Sequence, residues 1–357
     1  MHPGLLAALP LLAGLAACEH AQPFGAADLG PNVPFSTEIP RQLTFNAGPD
    51  RDPAWLPDGS GMIYAFGLDR ADHDQCLGIL PPDGGHRLQS ICHVPAHADA
   101  DSTNVLSNPA AGPGGQVAYL RENSLVGALA PTTRELVVAA LSRPDPGRVV
   151  LVLPQLAPDG QRVNRLSHLH WLAAGSLVFL AEQVTYAQTP TDTVETPIEV
   201  MRLDFTDTSS TLSVVPNTLG ATSVAVSTRA TLYVTMQGDS VVYEVEPASG
   251  QSAPLFDFGS LGAASDAQVA GTRLVAVAGA LTATLRLGLL VSVDLTSGTV
   301  SPVSSTSTTV FYRVPALDPS GSRVVAESRD VTFFKPSEFS PVIDTIVGTA
   351  SDLWLFQ

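Results

Sequence analysis

The sequence predicts an all-β fold, a six-bladed β-propeller, and three observations carry that prediction. An apolar strand pattern interrupted by a Pro/Gly turn recurs along the 357 residues. Each copy is followed by a second hairpin pattern. The last copy is one strand short, and a spare strand precedes the first copy. A chain of this length holds either two average domains or one long repetitive β domain, so the repeat favours the second.

The first copy is the stretch "RQLTFNAGPDRDPAWLPDGSGMIYAF". Residues 41–45 form one short strand, residues 53–56 begin a second, and "MIYAF" completes it. Between them, Pro57-Asp58-Gly59 predicts a bulge or a tight turn, because glycine permits a positive φ and aspartate bonds the backbone two residues on. The sequence leaves open whether this is a bend inside one strand or a turn.

Five further copies keep parts of this pattern. Residues 108–120 and 314–328 keep a proline, a small turn and an apolar strand, and residues 168–180 keep the tryptophan and the glycine. Residues 223–236 and 265–279 are fainter copies. Their spacing of roughly 45 to 60 residues is the range in which each unit is one four-stranded propeller blade.

A second hairpin pattern after each copy supplies the third and fourth strands, as in "LGILPPDGGHRLQSI" and "LVSVDLTSGTVSPVS". The sixth copy is followed only by "SDLWLFQ", and the missing strand is "IPRQLTF" at the start. Pairing these two ends would remove both exposed sheet edges. We therefore expect residues 35–357 to form one propeller closed by its own N- and C-terminal strands.

The first copy resembles the repeat of the TolB-like six-bladed β-propellers, which is a WD40-like (PD40) repeat. The shared pattern is Leu-Thr, then Asp-x-Pro-x-Trp, a Pro-Asp-Gly turn and an apolar strand, found here in residues 43–66. The resemblance implies a propeller fold and the status of a periplasmic or surface lipoprotein in bacteria.

The N-terminus predicts export and a lipid anchor. Residues 1–17 form an uncharged apolar run too short to span a bilayer, and "LAAC" at its end resembles a bacterial lipobox with Cys18 as the acylated residue. An ordinary secretory signal with a chance cysteine is the alternative. Residues 18–34 then form a flexible tether. Glu19 stands where an inner-membrane retention signal usually has Asp, which favours the outer membrane, with the protein on its periplasmic face or on the cell surface.

The charge excludes one class of partner. With 18 Lys and Arg against 34 Asp and Glu, the net charge is −16. Such a surface repels phosphate backbones and anionic headgroups, so we expect no nucleic acid and membrane contact through the N-terminal lipid only.

Cys76 and Cys92 are placed to form a disulfide. They lie symmetrically about Gly84 in a predicted hairpin, so they face each other, and an exported protein is in an oxidising compartment. A pair of buried free thiols or half of a metal site are the alternatives.

The starts of the inner strands supply the candidate ligand-binding residues. Aligned on the tryptophan and glycine of each copy, they are Asp52, Asn108, His168, His170, Ser223, Asp266 and Arg313. In propellers such positions line the mouth of the axial pore, where a polar pocket forms. Alternatively, these residues cap strands or bind water. Trp55 and Trp171 occupy repeat positions, which favours packing between blades over stacking on a ligand.

No catalytic motif is present, and no cofactor or bound metal is expected. His73, His86, His93 and His97 are concentrated in one region, but the sequence places them in loops, where solvated side chains are the simpler interpretation. We expect a monomeric, non-enzymatic scaffold that binds a protein or another envelope component. The alternative is a metal-assisted lyase or hydrolase with His168 and His170 as ligands at the pore mouth.

Overall fold

The computed structural model describes these parts of the chain: residues 39–45, 48–67, 74–93, 102–125, 133–156, 162–185, 194–280, 288–304, 310–334 and 344–357. The signal peptide, Cys18 and the tether lie outside the described residues, as do His73 and His97. The predictions made for them stay predictions. In the part of the chain that is described, no helix has the length and apolar character needed to cross a membrane.

The fold is all-β, with short antiparallel strands connected in sequence order. The first strands are β1 (Arg41–Gln42), β2 (Asp50–Trp55), β3 (Met62–Gly67), β4 (Gln75–Leu80), β5 (Gln89–Ile91), β6 (Ser102–Ala111), β7 (Gln116–Leu125), β8 (Thr133–Ala140) and β9 (Arg143–Leu153). A two-stranded ribbon follows, β10 (Gln155–Leu156) and β11 (Arg162–Val163). Single 3₁₀ turns lie at Pro113–Gly115 and Gly259–Leu261.

Three four-stranded sheets come next. The first comprises β12 (Arg165–Ala173), β13 (Ser176–Thr185), β14 (Val194–Phe205) and β15 (Ser210–Val214). The second comprises β16 (Ala221–Val226), β17 (Leu232–Met236), β18 (Val241–Val245) and β19 (Ser252–Asp257). The third comprises β20 (Ala263–Ala270), β21 (Arg273–Ala280), β22 (Leu289–Asp294) and β23 (Thr299–Pro302). The last strands are β24 (Val310–Leu317), β25 (Val324–Phe334) and β26 (Asp344–Phe356).

The first strands of successive units surround a central axis. Strand β2 contacts β6, and the contacts continue in order through β12, β16, β20 and β24. Strand β24 contacts β2 again, which closes the ring. Radially arranged antiparallel sheets around such an axis define a β-propeller.

The two ends of the chain complete one sheet, as the sequence predicts. Strand β1 is antiparallel to β26, with Arg41 opposite Leu355 and Gln42 opposite Trp354. The backbone N–H of Leu43 also donates to the carbonyl of Leu353 at 2.7 Å. This sheet therefore has the order β1-β26-β25-β24, with one strand from the start of the chain and three from its end.

The sheet count differs from the expected six separate blades. Four four-stranded sheets are separate in the described residues, whereas strands β2 to β9 belong to one eight-stranded sheet. The joint is a single parallel pair, Gln75 of β4 with Val105 of β6. Local pairing of two backbones therefore merges what the repeat pattern predicts as two units.

The Pro-Asp-Gly motif is a tight turn between two paired strands, which decides between the two alternatives left open by the sequence. Trp55 of β2 pairs with Met62 of β3, and the N–H of Gly59 donates to the carbonyl of Leu56 at 2.9 Å. Gly59 has φ +70°, in the region that glycine adopts without a steric penalty. The Asp58 carboxylate accepts bonds from the Ser60 N–H and hydroxyl, which lower the pKa of Asp58.

The hydrophobic core is divided into clusters that lie between neighbouring sheets. One cluster joins Leu43 and Trp55 to Leu353 and Leu355. Both tryptophans of the repeat connect adjacent units, as predicted: the Trp55 indole donates to the Ala316 carbonyl at 3.0 Å. The Trp171 indole makes the same bond to the carbonyl of Ala110 at 3.0 Å. Packing between blades thus accounts for these side chains.

The disulfide predicted from the hairpin symmetry is present. Leu77 of β4 lies opposite Ile91 of β5. Because the two strands are antiparallel, the residue before Leu77 and the residue after Ile91 face each other, and these are Cys76 and Cys92. The two Cα atoms are 4.6 Å apart. The bond fixes the short strand β5 to β4.

Candidate functional site

A cavity of about 470 Å³ lies where the first strands of the units converge. Its wall includes side chains from β2, β6, β12 and β24 and from the strands paired with them. Five arginines line it: Arg51, Arg134, Arg165, Arg313 and Arg329. Three carboxylates line it too: Asp52, Glu122 and Glu182. The volume is within the range of small-molecule sites in proteins, about 300–1,000 Å³.

β-Bulges in the first strands position the wall. In five of these strands the pairing register skips two residues, and the first skipped residue has a left-handed φ between 47° and 52°. These residues are Asp52, Asn108, His168, Asp266 and Val314. Asp, Asn and His are the non-glycine residues that adopt this conformation most often. A bulge re-aims a side chain, and four of these five residues line the cavity.

Two of the sequence-predicted positions are corrected by this register. Arg313 directly precedes the bulge and Val314 is the true equivalent of Asp52, because Pro315 corresponds to Pro53. Ser223 follows the register shift of its strand, which skips a single residue after Ala221. The Ser223 side chain is buried and its hydroxyl is bonded to the Thr235 hydroxyl at 2.6 Å, so it does not line the cavity.

The other predicted residues come together. Asp52, Asn108, His168, His170 and Arg313 all line the cavity. Asp266 lies behind the wall and contacts it through His168: Nε2 of His168 is 2.8 Å from Oδ1 of Asp266. This bond joins two units that are not neighbours in the ring, because the unit that begins with β16 lies between them.

A chain of hydrogen bonds extends from this pair. Nδ1 of His168 is 3.1 Å from the hydroxyl of Ser167, and that hydroxyl donates to Oε1 of Glu182. With both ring nitrogens hydrogen-bonded, the imidazolium form of His168 donates at one end to Asp266 and at the other to Ser167. The order Asp266–His168–Ser167–Glu182 therefore suits a positively charged histidine between two carboxylates.

The electrostatics agree with this protonation state. Burial by itself would lower the pKa of His168, but the hydrogen bond to Asp266 and the charge of Asp266 outweigh it and raise the pKa above 6.5. For Asp266, burial opposes ionisation, yet the bond to His168 holds its pKa below 3.8. Each partner thus favours the ionised form of the other.

His170 has the opposite character. Burial, followed by the charge of His168, lowers the pKa of His170 to about 4. It is also hydrogen-bonded to the backbone at Val224. A neutral imidazole and a charged one therefore lie two residues apart on β12.

A second network holds the opposite part of the wall. Oε1 of Glu327 accepts the backbone N–H of Asp52 at 2.8 Å, and Oδ2 of Asp52 accepts the N–H of Asn108 at 3.1 Å. Glu327 is 1% exposed, with Arg329 Nη2 at 3.4 Å and Arg313 Nε at 3.9 Å from its second oxygen. Carboxylates thus fix the bulges while arginines face the cavity.

Several wall residues were missed by the sequence reasoning. Serines precede three of the bulge residues, as Ser107-Asn108, Ser167-His168 and Ser265-Asp266. This repeated dipeptide was a usable signal, because serine and a left-handed Asn, His or Asp recur at the same strand position. Two wall arginines, Arg51 and Arg313, take this same position before a bulge residue. The other three, Arg134, Arg165 and Arg329, come from other strand positions and had no such signal.

The loop histidines do not form a metal centre in the described part of the chain. His86 is exposed, and Nδ1 of His93 is 2.7 Å from Oδ1 of Asp145. Across the described ranges, no group of three or more His, Cys, Asp or Glu side chains is arranged to hold a metal ion.

Solved structures with the same fold include enzymes. A gluconolactonase from Xanthomonas campestris aligns with a TM-score of 0.53 and 15% identity, over 93% of this chain and 91% of that one. A luciferin-regenerating enzyme aligns with a TM-score of 0.50 and 12% identity, over 89% and 92%. At these identities the likeness shows the β-propeller fold alone. No protein-family model and no curated protein matches the sequence.

The ion pair of His168 with Asp266 predicts a pH dependence of stability. Because the pKa of His168 is raised in the folded protein, its ionised form contributes fully to the free energy of unfolding below pH 6.5. This contribution is lost as the pH rises through the pKa of His168 in the folded state. The contribution of Asp266 is complete above pH 3.8. The pair therefore stabilises most between these limits.

Urea unfolding at pH 5.5 and pH 9 would test this. Asp266→Asn, which tolerates the left-handed φ, should destabilise more at pH 5.5 than at pH 9. Asp204→Asn, which removes a partly exposed ion pair with Arg202, is the control and should show little difference between the two conditions. An equal loss for Asp266→Asn at both pH values would contradict an ionic His168.

Proposed function

We propose that this protein is a binding protein whose axial cavity holds a small polar ligand. The observation that carries the proposal is the cavity itself: about 470 Å³, lined by charged side chains, at the point where the first strands converge. Binding sites combine such a volume with a few fixed polar groups. Here the bulges and the buried carboxylates hold those groups in place, which suits recognition.

We further propose that the fold is the six-bladed TolB-like propeller that the repeat indicates. In support, the eight-stranded sheet divides into β2–β5 and β6–β9, each a set of four consecutive antiparallel strands. One parallel residue pair joins them. The six first strands in the ring then belong to six units.

The cellular setting is also a proposal. The apolar run at residues 1–17 and the lipobox-like "LAAC" support an envelope lipoprotein anchored through Cys18. An anchored propeller would present its cavity and surrounding loops to an envelope partner, which is the partner expected from the sequence. Acylation of Cys18, detected by mass spectrometry of protein extracted from membranes, is the corresponding test.

An enzyme is the second candidate, and one observation favours it. His168 is hydrogen-bonded to both Asp266 and Ser167 at the cavity wall, an arrangement that holds a proton at a defined place. A metal-assisted enzyme would need a free ring nitrogen of His168 as a ligand. Both ring nitrogens already have hydrogen-bond partners, so a metal would have to displace one of them. A stoichiometric transition metal that is lost in His168→Ala would favour that version.

A thermal-shift screen with sugars, amino acids, organic acids and divalent ions tests the binding proposal. We expect at least one compound to raise the melting temperature of the native protein. Ala54→Phe, which fills the cavity, should abolish that shift, because Ala54 lies on the wall. Ala253→Phe on the exposed strand β19 is the matched control and should leave it unchanged. A shift that survives Ala54→Phe, or no shift with any compound, would overturn the proposal.

A further inference from the structure

Arg313 is a wall arginine with unused hydrogen-bonding capacity at its Nε. Its Nε is buried and has no hydrogen-bond partner among the described residues, and its nearest carboxylate oxygen, on Glu327, is 3.9 Å away. By contrast, Arg134 is bonded to both Glu122 and the carbonyl of Asn164. The Arg313 side chain is also 43% exposed, so its guanidinium is accessible from the cavity.

The arginines around Arg313 repel one another. Burial lowers the pKa of Arg329, and the positive charges of Arg313 and Arg51 lower it further against the pull of Glu327. Glu327 is shared between Arg313 and Arg329. An additional anion at this place would relieve the repulsion and supply the hydrogen-bond acceptor that the Nε of Arg313 lacks. A guanidinium binds a carboxylate through two parallel hydrogen bonds, which favours that anion.

The opposite wall offers an acceptor. Oε1 of Glu182 accepts from Ser167, but Oε2 is buried and has no hydrogen-bond partner in the described part of the chain. Glu182 is only 7% exposed and lines the cavity. Leaving a buried carboxylate oxygen unpaired is costly. The terminal torsion of glutamate is soft, so a ligand donor can be met by a small rotation.

We propose that the cavity binds a small carboxylate that also carries a hydroxyl or amine donor. The carboxylate pairs with Arg313 and the donor bonds to Oε2 of Glu182. The two residues lie on opposite sides of the ring, on β24 and β13, so one molecule bridges them across the cavity. This inference rests on the proposed binding function and names its ligand class.

Calorimetric titration with matched probes tests the two contacts separately. D-Glucuronate carries a carboxylate and hydroxyls, D-glucose carries hydroxyls only, and acetate carries a carboxylate only. L-Alanine replaces the hydroxyl donors by an ammonium group and distinguishes hydroxy acids from amino acids. We expect D-glucuronate or L-alanine to bind at least tenfold more tightly than D-glucose and acetate.

Variants then assign the contacts. Arg313→Gln should weaken the binding of the tighter probe by about tenfold to a hundredfold. Arg313→Lys keeps the charge without the planar fork and should weaken it less. If Arg313→Gln does not fold, Arg313→Lys still tests the contact. Glu182→Gln should lower the affinity for the tighter probe to that for acetate, because the donor of the probe loses its carboxylate acceptor. Arg229→Gln, whose side chain is 74% exposed in another sheet, is the control and should leave binding unchanged.

The outcomes separate this inference from the function on which it rests. If D-glucose binds as tightly as D-glucuronate and Ala54→Phe abolishes both, the cavity is a ligand site but the carboxylate class is wrong. The same conclusion follows if Arg313→Gln and Arg313→Lys both bind D-glucuronate and L-alanine like the native protein. If no probe binds and the thermal-shift screen is also negative, the binding function fails together with the inference.

Discussion

Leu43→Ala should lower the free energy of unfolding by about 2–5 kcal/mol, the usual cost of truncating a buried leucine. Leu43 is 4% exposed and packs with Leu353 and Leu355 of β26, so it holds the start of the chain against its end. Its backbone bond to Leu353 belongs to the same contact. Loss of this packing opens the sheet that completes the ring, and urea unfolding would measure the change.

Phe45→Ala is the matched control for that experiment. Phe45 lies two residues further on but is 43% exposed, so we expect a loss of about 1 kcal/mol or less. Deleting residues 35–46 should lower the melting temperature sharply for the same reason. If Leu43→Ala were no more destabilising than Phe45→Ala, pairing of the two chain ends would contribute little to the fold.

Glu327→Ala should be comparably destabilising, by about 3–5 kcal/mol, because it leaves positive charges without their buried partner. The carboxylate is 1% exposed. It forms ion pairs with Arg313 and Arg329 and accepts a hydrogen bond from the N–H of Asp52. Equilibrium unfolding in urea at neutral pH would measure the loss.

Glu327→Gln separates the charge from the hydrogen bond. Glutamine retains a carbonyl that accepts the Asp52 N–H, so we expect a loss of about 1–3 kcal/mol, smaller than that of alanine. Glu244→Gln, at a surface ion pair with the largely exposed Arg229, is the control and should cost about 1 kcal/mol or less. Equal losses for Glu327→Ala and Glu327→Gln would mean that the acceptor for Asp52 contributes nothing.

The fold was accessible from the sequence because strand signals are local. Turn residues such as Asp58 and Gly59 mark each hairpin, and the alternation of apolar residues marks each strand. The incomplete last unit indicated that the chain ends pair. The merged sheet was not accessible, since the single parallel pair of Gln75 and Val105 joins strands of two different repeat copies and has no local signal.

The site was accessible only in part. Asp52, Asn108, His168 and Asp266 share one strand position because a left-handed bulge selects Asp, Asn or His there, and this preference survives in the sequence. Alignment on turns misplaced Arg313 by one residue, because the bulge residue of its strand is Val314. It misplaced Ser223 because the register shift of that strand skips one residue where the other first strands skip two.

The contacts between units had no local signal. The pair of His168 with Asp266 and the proximity of Arg51 to Arg313 join residues far apart in the chain. Such pairs follow from closure of the ring and cannot be read from any one repeat.

Hydrogen–deuterium exchange tests the central claim, that the axial cavity is the binding site, most directly. It would be measured on the native protein with and without the compound that gives the largest thermal shift. We predict slower exchange confined to the amides around the bulges of β2, β6, β12 and β24, which border the cavity. Slower exchange confined to the outermost strands β15, β19 and β23 would place the ligand elsewhere and contradict the claim.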